Sequence, residues 1–136
     1  MLNLEPLAAL AANEMAGRDA KKANDAENII TKSLAVLAEQ GLYAFGLFLA
    51  TRKREQDRMP ALRIDEEARK LLQTARLATA DQARAPDMPT FYRSLTATQQ
   101  GESPAEALRR ILLSKQLLET TLTYGRYAAK ALKTAD

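Results

Sequence analysis

Residues 29–54, IITKSLAVLAEQGLYAFGLFLATRKR, constrain the fold more than any other stretch of the chain. Apolar or small residues recur at Ile30, Leu34, Leu37, Gly41, Ala44 and Phe48, the spacing of one helical face. A second set, Val36, Tyr43 and Leu47, lies off that face, so the helix is apolar over most of its circumference. Such a helix must be enclosed by partner helices or by lipid. Glu39 and Gln40 interrupt the stretch, and the cleanly apolar run, residues 41–51, is well short of the roughly 20 residues that cross a bilayer. The reading is a buried second helix with a basic end, Arg52, Lys53 and Arg54, which the rest of the chain covers. Gly41 and Gly46 each cost about 1 kcal/mol relative to alanine inside a helix. They imply a break or sharp kink at Gly41, or close approach of a neighbouring helix.

A chain of 136 residues is long enough for one core and too short for two, so residues 1–136 are read as a single helical domain. Ala, Leu, Glu, Lys, Arg and Gln dominate, β-branched residues are sparse, and no strand pattern is followed by a hairpin turn. Cysteine and histidine are absent, which excludes disulfides, thiolate or imidazole metal ligands and the commonest general base. The start, MLNLEPLAAL, lacks the basic n-region of a signal peptide, and a soluble, cytoplasmic protein is expected. The fold class expected is all-α: a compact bundle of about five helices with a long buried second helix and a long C-terminal helix.

Leu4, Leu7, Leu10, Ala11 and Met15 make a first amphipathic helix over residues 3–16. Gly17 either ends it or lets it continue to about residue 23. Asn24 with Glu27 has the form of a capping box for the second helix. Residues 55–60, polar and ending in Pro60, read as a loop. A third helix over residues 65–79 opens on Asp65, Glu66 and Glu67, where the helix dipole favours carboxylates, and Glu66 and Lys70 are spaced for a surface pair. Residues 81–90 hold two prolines and read as a connection. Phe91, Tyr92 and Leu95 then form a short helix whose aromatics plug the core. Ser103, Pro104 and Glu106 start the last helix with a capping box, and its length, about 30 residues, corresponds to roughly 45 Å.

No catalytic set can be assembled. Ser33, Ser94, Ser103 and Ser114 stand in no nucleophile-elbow context, and no Gly-rich phosphate cradle is present. Glu66 with Glu67, or Asp19 with Asp25, are read as capping and dipole partners in preference to Mg²⁺ ligands. The chain is therefore expected not to be an enzyme and to carry no cofactor or metal.

The formal charge is +3, and it permits a polyanionic partner without requiring one. Lys and Arg cluster at Arg18, Lys21 and Lys22, at Arg52, Lys53 and Arg54 with Arg58 and Arg63 close behind, at Arg109, Arg110 and Lys115, and at Arg126, Lys130 and Lys133. Dipole complementation at helix ends accounts for Lys53, Arg54, Lys130 and Lys133 without a ligand. Glu106 is placed to neutralise Arg110, which leaves Arg109 the better candidate on that turn. Lys115 occupies an apolar-stripe position, from which it snorkels past the core edge or reaches an anion.

Two stretches resemble the small helical subunit of type III-B CRISPR effector (Cmr-type) complexes. Gln40-Gly41-Leu42-Tyr43-Ala44-Phe45, continuing to Phe48-Leu49, looks like that family's glycine turn and small, aromatic, leucine-rich run. Leu117-Leu118-Glu119, Leu122 and Tyr124-Gly125-Arg126-Tyr127-Ala128-Ala129-Lys130 is similar to its last helix. Tyr43 stands where the turn has its second glycine, and Tyr124 where the family often has tryptophan. The resemblance implies a non-catalytic subunit in antiviral defence. Such a subunit stacks along a crRNA-guided complex beside other subunits and touches the backbone of target RNA or of the guide–target duplex. The candidate RNA contacts, taken from clustering alone, are Arg18, Lys21, Lys22, Arg52, Lys53, Arg54, Arg109, Lys115 and Arg126. The competing reading is a helical adaptor or self-associating module with no nucleic-acid role.

Overall fold

Two glycines with positive φ set the path of the first half of the chain. The computed structural model, which describes residues 3–134, ends α1 (Glu5–Ala16) at Gly17, φ 78°, and α2 (Ala23–Gln40) at Gly41, φ 95°. Only glycine adopts these angles without strain. After the single residue Gly41 the chain re-enters helix as α3 (Leu42–Ala50), then forms α4 (Glu55–Thr74), α5 (Ala80–Ala83), α6 (Met88–Thr96) and α7 (Pro104–Thr134). A one-turn 3₁₀ helix, Ala20–Lys22, precedes α2 and is capped by the Asp19 side chain.

The all-α class stands, and the details differ from expectation. Among the described residues there are seven α-helices in place of about five, and the long second helix is two helices broken at Gly41. Gly17 ends the first helix, so the longer alternative to residue 23 does not form. Asn24 caps nothing: α2 already begins at Ala23, and Glu27 pairs with Lys133 of α7. Residues 55–60 are helix and not loop. Pro60 sits in the second turn of α4, buried with Ala61 and Ile64, which continue the stripe of Ala68, Leu71 and Leu72 backwards. Burial of that stripe outweighs the local preference of proline against a helix interior. Asp65 accordingly lies mid-helix, where it pairs with Arg69 at 3.1 Å. Residues 81–90, read as a connection, contain most of α5, with a Thr79–Gln82 capping box, and the start of α6.

α1, α2, α4 and α7 enclose the main core, in which Met15, Ile29, Ile30, Leu37, Ile64, Leu72, Leu118 and Leu122 are fully buried. α2 and α7 run antiparallel: Lys115 Nζ donates to the Ala38 carbonyl at 3.2 Å toward one end, and Lys133 meets Glu27 at the other. α3 and α6 close the side of the core, with the Tyr92 ring edge-on to Phe45 and Phe91 at centroid distances of 5.3 and 4.8 Å. The aromatics of α6 thus plug the core as their spacing implied. Ser103 and Glu106 make the expected reciprocal cap of α7. No described helix is long and apolar enough to cross a membrane.

Candidate nucleic-acid interface

The antiparallel packing gathers chain segments that are far apart in sequence at one end of the bundle. There the end of α1, the 3₁₀ turn and the start of α2 meet the start of α4 and the end of α7. Arg18 lies beside Ala128 and Leu132 of α7. Arg54, Arg126 and Lys133 line a polar cleft of about 430 Å³ together with Asn24, Asn28 and Thr31 of α2. Lys22 and Arg63 line a second cleft, about 380 Å³, which shares Asp25 and Gln56 with the first. Of the residues singled out in the sequence, Arg54 and Arg126 share one cleft, Lys22 lines the cleft beside it, Arg18 borders the groove between α1 and α7, and Lys21 stands in the 3₁₀ turn between Arg18 and Lys22.

Carboxylates at this end set how much positive charge is available. Exposed Arg18 pairs with Glu14, and Arg54 with Asp57. Lys133 and, more distantly, Lys130 meet Glu27, which is mostly buried. The hydrogen bond from Lys133, opposed by desolvation and reinforced by the charges of Lys133, Lys130 and Arg126, holds the Glu27 carboxyl below its usual range. Among the described residues Lys21, Lys22, Arg63 and Arg126 have no carboxylate within ion-pair distance. Arg126 and Arg63 are partly buried, each with its Nε enclosed, so packing fixes where their guanidinium heads stand. Arg63 also leans over Gly17, next to the carbonyl end of α1, where the helix dipole favours a cation.

The remaining candidates stand elsewhere. Arg52 and Lys53 lie in the link between α3 and α4, and the Arg52 guanidinium stacks 4.0 Å over the Phe48 ring while its Nε donates to the Phe48 carbonyl. Arg109 is exposed in the second turn of α7, roughly 26 Å along the helix from Arg126. Lys115 is engaged with the Ala38 carbonyl at the end of α2 and lies 3.8 Å from Glu119. Arg110 closes the α6–α7 link by pairing with Glu102 at 2.8 Å and donating to the carbonyls of Leu95 and Ala97.

The carboxylates considered as metal ligands have structural partners. Asp19 caps the 3₁₀ turn, Glu66 and Glu67 both pair with Lys70, and Asp25 stands in the first turn of α2, where the helix dipole favours a carboxylate. Among the described residues no three His, Cys, Asp or Glu side chains converge on a metal position. Arg69, besides its pair with Asp65, donates to the carbonyls of Ala83 and Ala85 and covers the Phe91 ring. Burial, with the Asp65 carboxylate nearby, pushes the Tyr92 hydroxyl well above the ordinary phenol range.

Arg63, close behind the Arg52–Lys53–Arg54 cluster in sequence, joins the basic end only through the packing of α4 against α1. Tyr127 follows the core residue Gly125 by two positions, a rotation of about 200°, which puts it on the outer face; that offset was legible. No protein-family model matches the chain, and no curated protein or solved structure matches it.

Proposed function

We propose that the chain is a non-catalytic small subunit of a type III CRISPR effector complex that holds RNA through its phosphate backbone. The reading is supported by one observation above the others: cations from the link after α1, the 3₁₀ turn, the start of α4 and the end of α7 lie at one end of the helical bundle. Lys21, Lys22, Arg63 and Arg126 there are in no ion pair among the described residues, although Asp25, Glu27, Glu55 and Asp57 share the two clefts and reduce the net charge. Phosphate contacts need Lys and Arg and no base-reading groups, so the binding is independent of RNA sequence and steeply dependent on salt. Other subunits and the crRNA are the remaining partners under this reading. The test is fluorescence anisotropy of labelled RNA with the purified chain across a salt series, beside the Lys21→Glu/Lys22→Glu variant. Binding that is salt-sensitive and lost in the variant supports the proposal; absence of RNA binding at low salt, together with no incorporation into a crRNA complex, overturns it.

A second reading, a self-associating or adaptor module, draws on a different feature. Leu108, Leu112 and Leu113 are exposed on the first half of α7, away from the basic end. A concentration-independent monomer in sedimentation, together with salt-dependent RNA binding, would count against that reading.

A further inference from the structure

Tyr127 is 64% exposed on the outer face of α7, while Tyr92 is fully buried and Tyr124 lies within hydrogen-bonding reach of Glu5. It is flanked on its own helix by Arg126 and by Lys130, one turn further on, at the end of the molecule where the cations gather. The ring offers an open π-face at that end, with Arg126 about 100° round the helix in its cleft and Lys130 on the adjoining turn, 3.9 Å from Glu27. We infer that Tyr127 is a stacking platform for an unpaired base, and that the basic end holds single-stranded RNA in preference to a duplex; this rests on the RNA-binding reading above.

The choice of ligand follows from charge and shape. Cations alone attract any polyanion, and an acidic peptide or a duplex meets them as well as a single strand does. What distinguishes a single strand is that its bases are free to turn out and stack on aromatic side chains, whereas a duplex keeps its base faces covered. The partner must therefore present phosphate and an exposed planar ring together. The leucines at the far end of α7 offer no ring, and of the cations beside them Arg110 and Lys115 are held by Glu102 and the Ala38 carbonyl, so the same argument does not extend to them.

The test compares a short labelled oligoadenylate with an RNA duplex of equal phosphate count, each titrated with the full chain at fixed low salt. Tyr127→Ala should weaken oligoadenylate binding by about tenfold, the loss of one stacked base, and leave duplex binding nearly unchanged. Tyr127→Phe, which keeps the ring, should bind as the parent does. The slope of affinity against salt should stay the same in Tyr127→Ala, since no phosphate contact is removed. Equal weakening toward both ligands, no weakening toward either, or a parent chain that prefers the duplex would overturn the inference. In those cases salt-dependent RNA binding itself survives. Failure of the parent chain to bind either RNA sinks the RNA-binding reading and the stacking role together. Circular dichroism melts of both variants confirm that an exposed substitution has left the fold intact.

Discussion

Gly46 of α3 lies directly beneath the side chain of Tyr92: a β-carbon on Gly46 would stand 2.6 Å from the Tyr92 ring and 2.8 Å from its Cβ. Gly41, five residues earlier, has open space around it and a φ of 95°. The two glycines that the sequence marks out thus serve different purposes, one admitting a neighbouring helix and the other breaking α2 from α3. Gly46→Ala should lower stability by about 1–3 kcal/mol through overpacking. Gly41→Ala should cost about 1–3 kcal/mol through backbone strain, since its φ of 95° and ψ of −173° lie in a region open almost only to glycine. Thermal melts measure both, and loss of near-ultraviolet tyrosine ellipticity should accompany the first substitution only.

Arg69→Ala leaves the Asp65 carboxylate buried beside Tyr92 without its cation and frees the carbonyls of Ala83 and Ala85. A loss of about 3–5 kcal/mol is expected, a large share of the roughly 5–15 kcal/mol of a typical domain. Urea unfolding gives the number; a loss below that of an ordinary surface substitution would contradict the packing described for α5 and α6.

Stability should be flat between about pH 5 and 8, because no histidine titrates there. Arg110 holds the Glu102 carboxyl below its usual range, the Ser103 amide and hydroxyl do so for Glu106, and Lys133 for Glu27. Each folded-state pKa lies below that of the unfolded chain. Their stabilisation is therefore fully present above the ordinary carboxylate range and lost as pH falls through the folded values. Melting temperature should drop only in acid, and Glu102→Gln should lower it at neutral pH while flattening the acid decline.

Glu27→Gln should move stability and RNA affinity in opposite directions. It breaks the pair to Lys133 that ties α7 to α2, which lowers the melting temperature. It also releases Lys133, Lys130 and Arg126 from a carboxylate, which should tighten RNA binding and steepen its salt slope by up to about one ion. A variant that binds RNA less tightly at equal folded fraction would place the contact away from this end.

Lys115→Met removes a donor from the Ala38 carbonyl at the end of α2 and keeps the aliphatic stem. The expected cost is about 0.3–1 kcal/mol, typical of a cation at a helix C-terminus. RNA affinity should not change, and anisotropy titration of the variant checks that.

Helix type and most core positions were legible because they rest on periodicity, which is local. The apolar stripes of α2 and α7, the Ser103–Glu106 cap and the aromatic plug at Phe91 and Tyr92 can each be found within a few residues of sequence. Gly41 and Gly46 were legible as sites of a break or of close approach, and only the packing assigns the break to Gly41 and the close approach to Gly46. The start of α4 was not, since Pro60 opposes helix locally and only the burial of Pro60, Ala61 and Ile64 against other helices reverses that preference. The partners of the charged residues lie deeper in the tertiary structure. Sequence clusters put Lys115 and Arg126 on an equal footing, yet one is engaged with the end of α2 and the other stands in a cleft between three helices. Which face each helix buries is set by the chain itself. Which ends meet, and so which cations share one surface, depends on the antiparallel pairing of α2 with α7 across more than a hundred residues, and no local pattern encodes that.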